Sequence, residues 1–161
     1  MMSVARVKDY LRAFGREADV QEFPVSSATV ELAAKALGTE PARIAKTISL
    51  YGEDGGCILI VAAGDVKIDN AKFKTQFGHK AKMLAADEVE QLTGYAPGGV
   101  CPFANPEGAR VYLDESLKRF DAIYPACGSA NSAIRLTCEQ LETYSKALGW
   151  IDVCKAKEAA V

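Results

Sequence analysis

A lysine in the middle of a strand pattern is the residue of this sequence best suited to chemistry. In Ile44-Ala-Lys-Thr-Ile-Ser-Leu50 the large apolar residues Ile44, Ile48 and Leu50 share one parity of a period-two pattern, and Lys46 shares it with them. An ammonium on a core-facing side is costly unless it reaches an anion or a cleft. The alternative is a lysine that snorkels past its neighbours to the rim of the sheet. A residue that breaks an otherwise clean pattern tends to mark a functional position.

A second feature is Gly94-Tyr-Ala-Pro-Gly-Gly-Val-Cys-Pro-Phe103, where two glycines between two prolines force a tight, stiff loop. Its backbone amides at Gly98, Gly99 and Val100 can point into one hollow and hold a carbonyl or phosphate oxygen. Such a composition is also that of an ordinary turn, and the same holds for Pro125-Ala-Cys-Gly-Ser-Ala-Asn-Ser132. Lys67, Lys72, Lys74, Lys80 and Lys82 face a single acid in their stretch, Asp69, which describes either an anion-binding surface or a solvated helix face. Cys101 or Cys127 could serve as a thiol nucleophile only with a base, and the one histidine, His79, has no sequence tie to either.

The elements that position these groups follow from periodicity and capping. Val4, Val7, Leu11 and Phe14 recur at three- and four-residue steps and predict an amphipathic helix over 4–14, closed by Gly15. A short strand over 20–23, a helix over 27–37 that stops at Gly38, and a brief helical turn from Pro41 come next. Strands over 44–51 and 57–62 are joined by Gly-Glu-Asp-Gly-Gly, a hairpin signal. Asp69 caps a helix running to Phe77, 81–84 reads as a strand, and Asp87 with Glu90 predicts a capped helix ending at Gly94. Strands over 109–113, 122–124 and 132–136 precede a last helix, which starts at Thr137 with capping-box spacing to Gln140 and ends near Gly149. Because strands are joined both by hairpins and by helices, a mixed α/β sheet with flanking helices is expected rather than a doubly wound parallel one.

The chain has 161 residues, enough for one core and one domain over 1–161, and no repeat or linker divides it. With 49% hydrophobic and 25% charged residues its composition is that of an ordinary globular protein. The first residues mix charge with apolar side chains, unlike a signal peptide, and no segment reaches the length of a membrane span. Five widely spaced cysteines without a Cys-x-x-Cys pair read as reduced thiols of a cytoplasmic protein, not as a disulfide frame or zinc site. A net charge of −2 argues against general nucleic-acid binding, so no DNA or membrane partner is expected and any RNA contact must be local.

Ile-Ala-Lys46-Thr47, then Gly94-Tyr-x-x-Gly-Gly-Val-x-Pro102, then the Gly128-Ser129 turn before the last strand resemble, in order and spacing, the YbaK/aminoacyl-tRNA deacylase family. That family includes the editing domain of bacterial prolyl-tRNA synthetases and its stand-alone relatives. A chain of this length is too short for a synthetase core, so the stand-alone form is expected. The resemblance implies a curved, mostly antiparallel or mixed sheet flanked by helices. It implies a hydrolase that deacylates mischarged aminoacyl-tRNA, tRNA(Pro) carrying alanine, cysteine or another small amino acid, without metal or cofactor. Lys46, Gly98, Gly99 and Val100 would be catalytic, and Thr47, Cys101, Pro102, Gly128, Ser129 and Ala133 would bind substrate. The partners would be the acceptor end of the tRNA, touched by Lys67, Lys72, Lys74, Lys80 and Lys82, and prolyl-tRNA synthetase. The sequence departs from relatives at Ala133, where a polar or ionisable residue helps set substrate choice, and at Ala104, where glycine is common. The first departure keeps open a catalytically silent module that binds an aminoacyl adaptor or partner protein through the same cleft.

Overall fold

The computed structural model describes residues 3–27 and 29–157. At its centre is a strand that the sequence makes apolar on both faces: all seven residues of β3 (Cys57–Ala63) are buried, as a strand covered on both sides requires. β2 (Ile44–Tyr51) pairs with it antiparallel, from Ala45 opposite Ala63 to Tyr51 opposite Cys57. On the other side β5 (Ala109–Asp114) runs parallel to β3, and β8 (Trp150–Ile151) runs parallel to β5. β6 (Tyr124–Pro125) adds to the outer edge of β2, giving the order β6-β2-β3-β5-β8.

Two small antiparallel ribbons complete the strands: β1 (Gln21–Glu22) with β7 (Ser132–Ala133), and β4 (Val66–Ile68) with β9 (Cys154–Ala156). The architecture is therefore mixed. Among the named strands antiparallel pairing is limited to the β2–β3 hairpin and the ribbons, because crossover connections bring the other strands back in parallel.

The helices follow the capping signals. In α1 (Ser3–Arg12) the inward stripe Val7 and Leu11 is fully buried. Thr29 caps α2 (Val30–Leu37) by accepting from the Leu32 amide at 3.1 Å, and Gly38 ends it; Ala28, within the helix expected over 27–37, lies outside the described residues. Asp69 caps α3 (Asn70–Phe77). Thr137 and Gln140 form the expected capping box of α5 (Cys138–Ser145), which ends before Gly149 because Lys146 turns left-handed with φ 54°.

Other expectations are corrected. α4 (Ala86–Thr93) starts from Ala85 without a side-chain cap; Asp87 sits in its first turn, where its charge favours the helix dipole. The segment 81–84 is no strand and makes only an isolated bridge, Met83 to Leu50. The strands expected over 20–23, 122–124 and 132–136 each shrink to two residues. β4, β8 and β9 escaped prediction because two- or three-residue strands carry almost no periodicity.

Leu59, Ile60, Val61, Leu113, Phe103 and Ile134 are fully buried in the main core. A smaller cluster, Ala33, Ala34 and Ile44, seats α2 on the start of β2. No helix among the described residues is long and apolar enough to cross a membrane.

Candidate active site

The site begins as a gap in the covering of β2. β6 pairs with its outer edge only at Ile44 and Ala45. Further along, Leu84 N donates to Ser49 O at 3.1 Å and Tyr51 N to Lys82 O at 2.9 Å. Among the described residues Lys46, Thr47 and Ile48 have no strand partner on that side. Over this gap opens a cleft of about 390 Å3, floored by β2 from Ile44 to Ser49 and walled by Val30 of α2, Met83, Val89 of α4 and the loop residues Pro97, Gly98 and Val100. Thr47 lines the floor, and its buried Oγ1 has no hydrogen-bond partner among the described residues. An orphaned buried hydroxyl costs about 1–3 kcal/mol, so its position beside a cleft marks it as a candidate binding group.

The opposite wall is held rigidly. Gly99 N donates to Ala96 O at 3.0 Å, closing a turn with Pro97 at its second position and Gly98, φ 89°, at its third. Of the three amides expected to hold an oxygen, Gly99's is therefore already spent. The Gly98 and Val100 amides make no hydrogen bond among the described residues. A Cβ on Gly99 would stand 2.8 Å from Gly128 O and 2.9 Å from Ser129 Cα, so only glycine lets the loop lie against that turn. Behind the loop, Asn105 Nδ2 donates to Cys101 O at 2.9 Å and Thr93 O at 2.8 Å, and the buried Tyr95 hydroxyl donates to Phe103 O. Ala104 adopts φ 53°, a left-handed conformation that glycine takes without penalty and alanine does not.

Lys46 also lines the cleft, half-buried, opposite Ala62 in the β2–β3 ladder. Its ammonium donates to Val66 O, so its protein partner is a carbonyl of β4 and not the loop. Burial first, and then the nearby Lys157 ammonium, lower its pKa to about 8. It is thus a cation at neutral pH that titrates within reach of physiological conditions.

The other predicted residues sit behind or beside the cleft. Cys101, Pro102 and Gly128 are buried, and none of them lines the cleft. Ser129 Oγ donates to Asn131 Oδ1 at 2.8 Å, and Ala133 is buried in β7 opposite Gln21; neither lines the cleft. Burial pushes the Cys101 thiol up to about 12 and raises that of Cys127, and His79 packs against Phe73 with ring centroids 5.6 Å apart. Among the described residues the one histidine is thus packed away from both thiols. Among the described residues no cluster of His, Cys, Asp and Glu could hold a metal.

Of the five lysines, Lys72 binds Asp152 at 3.0 Å and Lys82 lies 5.4 Å from the Tyr51 ring centroid. Lys74 and Lys80 line a separate hollow, and Lys67 lies on β4. Sequence reasoning missed Thr29, Ser49 and Met83 in the cleft, and Lys157 beside Lys46. Ser49 was readable from sharing the parity of Thr47; Lys157 arrives only through the pairing of β9 with β4, which no local pattern announces.

Fold and cleft together define a mixed α/β protein with an open cleft over a stretch of sheet edge that is unpaired among the described residues, the kind of place where small-molecule sites form. A family model described as the aminoacyl-tRNA editing domain matches residues 25–144, and the chain belongs to that family. It is 53% identical over 154 residues, 96% of this chain and 98% of the relative, to the Bacillus subtilis (strain 168) protein YwhH. It is 31% identical over 114 residues, 70% of each chain, to EbsC of Enterococcus faecalis (strain ATCC 700802 / V583), named as a candidate Cys-tRNA(Pro)/Cys-tRNA(Cys) deacylase. A crystal structure described as a candidate trans-editing enzyme for prolyl-tRNA synthetase superposes with a TM-score of 0.86 at 30% identity, covering 97% of this chain and 99% of that one.

Proposed function

We propose that this chain hydrolyses the ester bond of mischarged aminoacyl-tRNA in trans, with the cleft over β2 as its active site. The observation that supports the assignment is that one cleft of about 390 Å3 is lined by Lys46, Thr47, Gly98 and Val100, the last two with amides that make no hydrogen bond among the described residues and the Thr47 hydroxyl likewise without a partner.

An aminoacyl ester is already activated, so positioning a water and stabilising the developing oxyanion suffice. The Gly98 and Val100 amides hold the carbonyl oxygen, and Lys46 adds positive charge. Thr47 Oγ1 binds the ester end, and the free hydroxyl of the terminal ribose orients the water. Water adds to the carbonyl carbon, the bond to the ribose oxygen breaks, and that oxygen leaves with the proton the water gives up. The products are a free amino acid and an intact tRNA.

A second site of this kind answers a physical limit. A synthetase pocket discriminates between amino acids differing by one small group by only about 1–3 kcal/mol. The proposed substrate is tRNA(Pro) carrying alanine, cysteine or another small amino acid, with action alongside prolyl-tRNA synthetase. The names of EbsC and of the trans-editing relative support that choice, as does a cleft near the lower end of small-molecule site volumes. Because Ala133 lies off the cleft wall, its apolar side chain gives no reason to prefer a silent binding module.

The test is single-turnover hydrolysis of tRNA charged with alanine, cysteine, serine or threonine. At least one ester is expected to be cleaved, and Lys46→Ala is expected to slow cleavage by about 10²-fold or more with its circular dichroism unchanged. A folded Lys46→Ala variant with full activity refutes the assignment.

A further inference from the structure

The β4–β9 ribbon carries charges that folding alone does not account for. Lys67 and Lys155 are direct partners in its antiparallel ladder, and both are exposed. Opposed residues hold their Cβ atoms about 4.5–5.5 Å apart, where like charges repel. One rung further, Ala156 pairs with Val66, the residue whose carbonyl holds the Lys46 ammonium. The next residue, Lys157, donates its backbone N–H to Asp65 O at 3.0 Å, which sets it beside the same carbonyl. Four lysines thus gather within neighbouring rungs.

Among the described residues the nearby carboxylates have other hydrogen-bond or ion-pair partners. Asp65 accepts two bonds from Arg119, at 2.9 and 2.5 Å. Asp152 is held by Lys72. Asp69 spends its oxygen on the Lys72 and Ala71 amides, and these outweigh the pull of Lys155 in keeping it below the usual carboxylate range. Neither Lys67 nor Lys155 has a salt bridge among the described residues. The cluster stands out in a chain whose net charge is −2, and it is tied to the cleft through Lys46, whose ammonium bonds the Val66 carbonyl of the same ribbon.

We propose that the β4–β9 ribbon, through Lys67, Lys155 and Lys157, seats the phosphodiester backbone of the single-stranded RNA end whose terminal ester enters the cleft beside Lys46. This rests on the deacylase reading for the identity of the ester and deepens it by naming where the polynucleotide lies. The contacts are to phosphate, so the ribbon contributes affinity and register and no base preference.

The experiment uses an uncharged acceptor-stem RNA hairpin with a single-stranded CCA end, its binding read by fluorescence anisotropy across a salt titration. Lys67→Glu turns a repelling rung into an attractive one. It is expected to raise the urea midpoint while weakening RNA binding several-fold and reducing the slope of log K against log salt by about 0.7. Lys155→Gln combined with Lys157→Gln is expected to reduce that slope by about 1.4. In deacylation the Lys67→Glu change appears in KM, with kcat little altered. Unchanged affinity and slope in both variants, or no hairpin binding by the wild type at low salt, overturns the proposal. Failure of the wild type to cleave any mischarged tRNA refutes the deacylase reading instead, and leaves the anisotropy result to be judged by itself.

Discussion

Replacing Lys46 by methionine separates what this residue costs the fold from what it does for the chemistry. Methionine keeps the apolar stem and removes the ammonium. The Lys46 pKa falls from an ordinary 10.5 to about 8, chiefly through burial and then through Lys157. At about 1.36 kcal/mol per pH unit this gap corresponds to at most roughly 3.4 kcal/mol of penalty for keeping the charge in the folded chain. The side chain is only half-buried, so solvent screening leaves about 1–2 kcal/mol of it. Methionine also removes the donor to Val66 O, a loss of about 1 kcal/mol that does not vary with pH. The pH-dependent part is therefore the sharper readout. Between about pH 8 and pH 10.5 the unfolded chain binds the proton that the folded chain has released, so stability rises with pH across that window. Urea unfolding of both proteins near pH 7, 8.5 and 10.5 is expected to show wild type gaining about 1–2 kcal/mol on Lys46→Met as pH rises, with deacylation lost in the variant at every pH. A difference in stability that stays constant over that range would refute the burial of this charge.

Gly99→Ala places a methyl group 2.8 Å from Gly128 O, so urea unfolding is expected to register a loss of about 1–3 kcal/mol, with deacylation lost as the loop shifts. Iodoacetamide on the native protein is expected to modify the half-buried Cys138 before Cys101 or Cys127, and to leave activity intact; peptide mapping that finds Cys101 modified in step with inactivation would revive a thiol mechanism.

The sequence announced most clearly those elements that local physics determines. The β2–β3 hairpin follows from alternation and glycine spacing, α3 from its Asp69 cap, and α5 from the Thr137–Gln140 box. Elements defined only by a distant partner stayed hidden. Trp150–Ile151 is a strand because Leu113 and Asp114 lie beside it, and Cys154–Ala156 because Val66–Ile68 does. The site divides in the same way. Lys46, Gly98 and Val100 were readable from a parity break and a stiff loop, whereas the fate of individual amides was not. Gly99 N–H closes a turn that a Pro-Gly pair already implied, but only the folded chain reveals that it leaves its two neighbours free. Lys72 and Lys82, read as part of one basic stretch, spend their charge on Asp152 and against Tyr51.

The failed strand at 81–84 explains why a cleft exists at all. Alternation there suits β2, and Met83 does begin to pair with Leu50. After Leu84 N reaches Ser49 O the chain turns away, because Ala85 starts α4. From the other direction β6 ends at Pro125, and Ile134 then takes the Pro125 carbonyl, drawing the chain toward the β1–β7 ribbon. Had either segment continued, it would have sealed the edge, as sheets normally do to avoid pairing with other chains. Three residues remain uncovered, a span of about 10 Å at roughly 3.3 Å per residue. That is too short to template another strand, and it lies recessed beneath Val30, Met83 and the Gly98 loop. On the proposed reading this recess admits a small ligand with a polar end, and the β2 residues lining it include Lys46, whose burial lowers its pKa to about 8, and Thr47, whose buried hydroxyl has no partner among the described residues.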